Sequence, residues 1–180
     1  MTVELPQLFM RLPRLAPAWP DGDGSELAGP EDAAAIAALI SAAFEEDWDA
    51  ERASRELGPD EGVDASYVVR QDGGVVAVAS ARHLSSYPDA GYVHYVAADS
   101  SHAGRGLGTV VTAAVLQHFA DEGLGAVVLE TDDFRLPAIR TYLKLGFVPE
   151  YRHEEDQARW SKVIPLVLGP RRSATRRADG

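Results

Sequence analysis

The stretch Tyr92 to Thr109, reading YVHYVAADSSHAGRGLGT, limits what this chain can fold into more than any other. Its apolar, partly β-branched start predicts a strand over Tyr92 to Ala98, and the polar run that follows predicts a turn. Gly104, Gly106 and Gly108 then leave the backbone bare where Leu107, Val110, Val111, Ala114 and Val115 set up one apolar helical face. Strand, glycine turn and helix in that order aim unpaired N–H groups and the positive end of the helix macrodipole at one point. Such a turn is a ready site for a phosphate or pyrophosphate. A buried strand at Ala126 to Glu130 can pair parallel to Tyr92 to Ala98 through that crossover helix.

The 180 residues suit one compact domain, expected over 1–168, with 1–24 as an extended lead-in. Pro6, Pro13, Pro17 and Pro20 break that lead-in, so Leu8 to Leu12 is at most an edge strand. Residues 169–180 carry Arg171, Arg172, Arg176 and Arg177 with almost nothing apolar, and read as a disordered basic tail. No apolar run approaches the ~18 residues of a membrane span, and the N-terminus lacks a signal-peptide pattern, so no membrane association and a cytoplasmic location are expected. The chain has no cysteine, which excludes disulfides, thiolate metal sites and a cysteine nucleophile. Its five histidines show no metal-binding spacing, and no metal is expected. A formal net charge of −11 argues against nucleic acid as a partner and weakly favours a cationic amine.

Around this centre the chain predicts a short strand at Ser25 to Ala28 and a helix from Pro30, with Ile36, Leu39, Ile40, Ala43 and Phe44 on one face. A polar helix follows at Ala50 to Leu57, after an exposed Trp48 set among Glu45, Glu46, Asp47 and Asp49. Ser66 to Arg70 and Val75 to His83 flank Asp72-Gly73 as a hairpin, and Tyr92 to Ala98 returns as the third strand of a meander. Pro137 opens another helix, with Ile139, Tyr142 and Leu143 on one face and Gly146 as its cap. Phe147 to Arg152 and Trp160 to Leu168 are expected as a final strand pair, Pro165 placing the last at an edge.

Two phosphate-binding motifs fit poorly. A P-loop requires Lys and Ser or Thr directly after its last glycine, whereas Thr109 and Val110 follow Gly108. A dinucleotide fingerprint needs G-x-G-x-x-G and two βαβ units, whereas here the glycines run G-x-G-x-G in a single unit. Glu130 lies where a ribose-binding acid would be, which keeps dinucleotide binding as a weaker alternative.

The segment His102-Ala103-Gly104-Arg105-Gly106-Leu107-Gly108 resembles motif A of the GNAT superfamily of acyl-CoA-dependent N-acyltransferases, with Ala103 where the family has Gln or Arg. Ala138-Ile139-Arg140-Thr141-Tyr142-Leu143-Lys144-Leu145-Gly146-Phe147 resembles its motif B, with Arg135 where an Asn that contacts CoA is common. The resemblance covers Pro30 to Leu168. It implies an α/β fold of α+β type, with one mixed, mostly antiparallel sheet of six to seven strands, splayed after the fourth and flanked by about four helices.

For function, the resemblance implies transfer of an acetyl group from acetyl-CoA to a primary amine, on a small molecule or a peptide, by direct attack in a ternary complex. Backbone groups of Val96, Ala97 and Ala98 would pair with the pantetheine arm. Gly104, Arg105, Gly106, Leu107, Gly108 and Thr109 would hold the pyrophosphate, with Arg135 at a further CoA-contact position. Tyr142 matches the tyrosine that protonates the departing thiolate, and its reference pKa of about 10 keeps the phenol protonated at neutral pH. Tyr92, His94 and Val96 share one strand face by period, and His94 is the first candidate base, Glu130 the second. His83 on the neighbouring strand is a weaker candidate for the same cleft. His102 is read as packing at the turn, His118 and His153 as surface residues, and Trp160 as a core aromatic. Ala103 and Arg135 also leave open a non-catalytic acyl-CoA-binding module, and the edge strands offer a route to a homodimer.

Overall fold

The computed structural model describes residues 6–169. Seven strands form one sheet: β1 (Leu8–Leu12), β2 (Glu26–Leu27), β3 (Val63–Gln71), β4 (Gly74–Arg82), β5 (Ala90–Ala98), β6 (Ala126–Thr131) and β7 (Val148–Glu150). Their order across the sheet is β2-β3-β4-β5-β6-β1-β7. Every neighbouring pair is antiparallel except β5 and β6. Five α-helices cover the faces: α1 (Ala33–Phe44), α2 (Ala50–Glu56), α3 (Leu107–Asp121), α4 (Leu136–Lys144) and α5 (Asp156–Leu168). The expected mixed, mostly antiparallel sheet is therefore present.

The meander follows from local chemistry. Asp72 and Gly73 both have positive φ, 50° and 81°, the twist that a two-residue hairpin loop needs to match its strands. The larger core lies on one sheet face, where Ala77, Ala79, Val93, Val127 and Leu129 meet Val111, Val115, Leu116 and Phe119 of α3 and Ile139, Tyr142, Trp160 and Val163 of α4 and α5. Phe119 is fully buried, and a Cβ on Gly91 would come within 2.5 Å of its ring, so that glycine is the condition for α3 lying this close to β5. On the opposite face α1 and α2 pack Ile36, Ile40, Trp48 and Ala53 against Val68, Val78 and Ala97.

Three sequence expectations are corrected here. Leu8–Leu12 is no edge strand, because β1 pairs with β6 on one side and β7 on the other. Its run of apolar residues is used on both faces, Leu8, Met10 and Leu12 entering the larger core and Phe9 packing with Tyr92 and Val128. Pro6 and Pro13 lie just outside the strand, where neither removes a ladder donor. Second, Trp160–Leu168 belongs to helix α5. Trp160, Val163, Ile164 and Val167 fall at i, i+3, i+4 and i+7 and line one buried face, which outweighs the loss of one helix hydrogen bond at Pro165. Third, Trp48 is buried at 6% exposure, its indole N–H donating to Glu46 at 2.9 Å and Arg52 stacked 4.2 Å above the ring. The acids around it turn to solvent while the ring fills core.

Beyond β1 the N-terminal segment packs on α3. Trp19 N–H donates to Gln117 at 2.8 Å, and Gly22 approaches the α3 backbone so closely that a Cβ would lie 2.9 Å from the Ala114 nitrogen. Among the described residues no helix is long and apolar enough to cross a membrane. The basic-tail reading of 169–180 falls, beyond Gly169, outside the described residues.

Candidate active site

The site begins where one strand pair stops. β5 and β6 pair only from Ala90–Ala126 to Tyr92–Val128, and beyond Tyr92 the two strands diverge. The divergence follows the fourth strand in sheet order, as expected of the splay. Past Tyr92 the β6-facing backbone groups of β5 have no strand partner. A cleft of about 320 Å³ opens there, walled by His94, Tyr95 and Val96 of β5, Glu130 of β6, Phe44 of α1, and Arg135 and Tyr142 at α4.

A bulge in β5 sets the side-chain directions. Ser80 pairs with His94 and Val78 with Ala97, so Ala79 faces two residues, and Tyr95 takes up the extra length at φ 43°. Alternation breaks at this point. His94 and Tyr95 stand side by side with ring centroids 4.2 Å apart, and Tyr95 packs edge-on against Trp48 and Phe44. Val96 turns to the α3 face. The expectation that Tyr92, His94 and Val96 share one face therefore holds for the first two only. Val96 still lines the cleft, which it reaches through the open sheet edge.

His94 sits beside a cation. Arg82 on β4 is held by Glu61, its Nε donating to the Glu61 carbonyl at 2.7 Å and Nη2 to the carboxylate at 3.2 Å. Its Nη1 lies 3.4 Å from His94 Nε2. A guanidinium only donates, so Nε2 is the acceptor and the neutral ring carries its proton on Nδ1. Burial, reinforced by the Arg82 charge, pushes His94 down from 6.5 to about 3. Next to it, Tyr92 O–H donates to Glu130 at 3.4 Å, and burial followed by the Glu130 charge raises this phenol well above the tyrosine range. Glu130 itself is exposed to solvent at the cleft.

Tyr142 enters the cleft from α4 at 5% exposure, its ring edge-on to Phe147. Burial raises its pKa, the nearby Arg135 charge acting in the opposite sense, so the phenol keeps its proton throughout the neutral range. Arg135 is engaged within the protein. It stacks 3.8 Å above the Phe44 ring, donates from Nη2 to the Ala43 carbonyl at 2.9 Å and lies 3.4 Å from Asp132. The side chain thus joins the end of α1 to the start of α4.

The glycine turn lies at the start of α3. Asp99 accepts from Ser101 N–H at 2.8 Å and lies 3.2 Å from His102 Nδ1, so His102 fastens the turn, as its packing role predicts. Gly104 and Gly106 have φ of 82° and 75°, in the left-handed region that favours glycine. A Cβ at Gly104, Gly106 or Gly108 would meet nothing within 4 Å, so the backbone faces open space. Among the described residues the N–H groups of Gly104, Gly106, Leu107 and Gly108 make no hydrogen bond, whereas Thr109 N–H is bonded to the Gly106 carbonyl at 2.9 Å. Leu107 buries its side chain and offers backbone alone. Arg105 extends to Gln71 in the β3–β4 hairpin at 2.9 Å. Four free amides at a helix start fit a pyrophosphate, and the open β5 edge fits an amide-bearing arm.

Other candidates are elsewhere. His83 faces Phe119 and the end of α3, 3.1 Å from Asp64 and 3.2 Å from Glu122, and is not among the residues that line the cleft. His118 is half-buried rather than superficial, its Nδ1 3.1 Å from Tyr67 O–H. His153 is exposed and Trp160 is core, as expected. Phe44 lines the cleft and Arg82 lies against His94, and sequence reasoning passed over both. The meander does carry a signal for Arg82, since antiparallel register from Ser80–His94 sets it opposite Tyr92 and diagonal to His94. A larger hollow of about 630 Å³ between α1, α2 and β3 contains none of the expected site residues. With one parallel pair in the sheet, the dinucleotide alternative lacks its second unit.

Comparison with known proteins agrees with this geometry. The Acetyltransferase (GNAT) family profile matches residues 33–147. The mycothiol acetyltransferase of Tsukamurella paurometabola is 30% identical over 153 residues, covering 77% of this chain and 52% of the relative. The chain thus spans about half the length of that curated relative, and about a fifth of others that match over shorter stretches. A GNAT-family structure from Novosphingobium aromaticivorans superposes with a TM-score of 0.65 at 27% identity, over 81% of this chain and 60% of the other. Diaminobutyrate acetyltransferase of Paenibacillus lautus, solved with its substrate and coenzyme A, shares the fold with a TM-score of 0.58 at 19% identity, over 67% and 72% of the two chains. A strand–glycine-turn–helix unit beside a splayed mixed sheet, matched over more than half its length by one family, places this chain in the GNAT acetyltransferase family.

Proposed function

We propose that the protein transfers an acetyl group from acetyl-CoA to a primary amine by direct attack in a ternary complex. The observation that carries this reading is the convergence, in one splay, of an open β5 edge, a turn with free amides, a protonated buried phenol and a neutral imidazole. Acetyl-CoA supplies the acyl group as a thioester. The amides of Gly104, Gly106, Leu107 and Gly108 hold its pyrophosphate, with Thr109 and Arg105 alongside, and Val96, Ala97 and Ala98 bind the pantetheine amides and orient the thioester in the cleft. The C–N bond forms as the C–S bond breaks, and Tyr142 gives its proton to the departing sulfur. The proton lost by the amine leaves through His94 or Glu130, directly or by way of water. Burial, reinforced by the Arg82 charge, keeps His94 neutral, which leaves it able to accept a proton but makes it a weak base. Arg135 serves by joining α1 to α4 at the cleft, so its contribution to CoA is the shape of the wall.

The cleft is acidic, with Glu46, Glu130 and Asp132 on its lining, and this favours a cationic acceptor, either a small-molecule amine or a peptide amine. The test is free-thiol release from acetyl-CoA with a panel of amines. Turnover with at least one amine is expected. Tight acetyl-CoA binding without turnover on any amine replaces this reading with a non-catalytic acyl-CoA-binding module.

A further inference from the structure

Acetyl transfer as proposed above needs a group that takes a proton from the acceptor's ammonium, and three carboxylates and one imidazole line the cleft. Two of the carboxylates are already paired with arginines. Glu46 accepts from Trp48 Nε1 at 2.9 Å and lies 2.9 Å from Arg52. Asp132 accepts from Gln7 at 3.1 Å and lies 3.4 Å from Arg135. Glu130 has no cationic partner among the described residues, and its side chain accepts only from Tyr92 O–H, at Oε2 and 3.4 Å. Its other oxygen is left to the solvent-exposed cleft. Register sets it across from His94. Tyr92 is level with Val128 in the parallel pair, so the next residues on that face, His94 of β5 and Glu130 of β6, stand on the two sides of the gap where pairing has ended. The Glu130 backbone is fixed from behind by its pairing with Phe9 of β1.

His94 is poorly disposed to be that group. Arg82 Nη1 lies 3.4 Å from Nε2, which engages the one lone pair of the neutral ring, and the other nitrogen carries a hydrogen. Held this way the imidazole offers the cleft a donor only. To take a proton it would have to give up the Arg82 bond and set an imidazolium against a guanidinium that Glu61 holds in place. We propose, on the acetyl-transfer reading, that Glu130 is the general base, that Tyr92 positions it, and that His94 serves the cleft as a hydrogen-bond donor. The Glu130 carboxylate takes one proton from the acceptor's ammonium and passes it to solvent. The freed amine attacks the thioester carbon, the C–N bond forms as the C–S bond breaks, and Tyr142 protonates the sulfur. A second N–H proton returns through water to the Tyr142 oxygen, so the products are an amide, a thiol and one released proton. Burial and the Glu130 charge keep the Tyr92 phenol protonated, so it orients the carboxylate as a fixed donor.

The test measures free-thiol release by the full chain with two acceptor amines of similar shape, one protonated and one already neutral at the assay pH. Glu130→Gln is expected to lower kcat about 10²-fold with the protonated amine and only a fewfold with the neutral one, the KM for acetyl-CoA staying the same. Formate is expected to restore part of the rate to Glu130→Ala. Tyr92→Phe is expected to repeat the Glu130→Gln pattern more weakly, and His94→Gln to lower both rates by one common factor, with circular dichroism confirming each fold. A Glu130→Gln rate on the protonated amine close to that of the unaltered chain, a Tyr92→Phe loss equal for the two amines, or a His94→Gln loss confined to the protonated amine overturns the proposal and leaves acetyl transfer standing. Absence of turnover in the unaltered chain overturns acetyl transfer itself, and the assignment of the base with it.

Discussion

Tyr142 and His94 have opposite shifts with one cause, since burial penalises the charged form of each. Tyr142→Phe removes the proton proposed for the departing thiolate and is expected to lower kcat by about 10²-fold, with KM for acetyl-CoA nearly unchanged, in steady-state thiol-release assays. His94 at about 3 is neutral across the working range, so kcat/KM is expected to show no enzyme inflection near pH 6.5. Arg82→Met removes a neighbouring positive charge and raises the His94 pKa, moving its acid limb to higher pH. The shift also has a stability consequence. A depressed folded pKa means the unfolded chain binds the extra proton first, so the His94 contribution is fully present above about pH 6.5 and is lost as pH falls toward 3. His94→Gln is expected to flatten that part of the stability–pH curve, read by denaturant titration at several pH values. Tyr142 was legible from motif B in the sequence. Arg82 was not, because its effect on His94 exists only once the register of β4 and β5 is set.

Among the elements, α3 with its turn and α5 show the two extremes of legibility. The glycine turn could be read directly, since left-handed φ at Gly104 and Gly106 is a local demand that only certain residues meet cheaply. Gly106→Ala adds a Cβ that clashes with nothing but carries the left-handed cost of about 1–2 kcal/mol. It is expected to weaken acetyl-CoA binding by about tenfold in calorimetry while the fold is kept. The sequence pointed to a strand for α5 because Val163, Ile164 and Val167 are β-branched and Pro165 is unfavourable inside a helix. Their helical spacing decided the outcome once α4 and the larger core gave Trp160 something to pack on. Trp160 is 1% exposed, and Trp160→Ala is expected to cost about 3–5 kcal/mol in chemical denaturation. An edge-strand aromatic would cost far less.

For the whole molecule, acetyl-CoA binding to the folded state alone is expected to raise Tm, by the equivalent of about 2.7 kcal/mol at a hundredfold excess over Kd. Differential scanning calorimetry with and without acetyl-CoA checks this. The sequence alone determined the strand–turn–helix unit, the alternation of the meander and the motif that names the family, because each rests on residues adjacent along the chain. Tertiary structure decided the rest. Leu8–Leu12 became an interior strand because β6 and β7 left a place between them, and Trp48 became core because α1 and α2 closed over it. The bulge at Tyr95 turned Val96 from the face it was expected to share with His94, and the end of β5–β6 pairing at Tyr92 opened the cleft itself. These features depend on which segments become neighbours across the sheet, and a backbone's local preferences carry no record of neighbours distant in the chain.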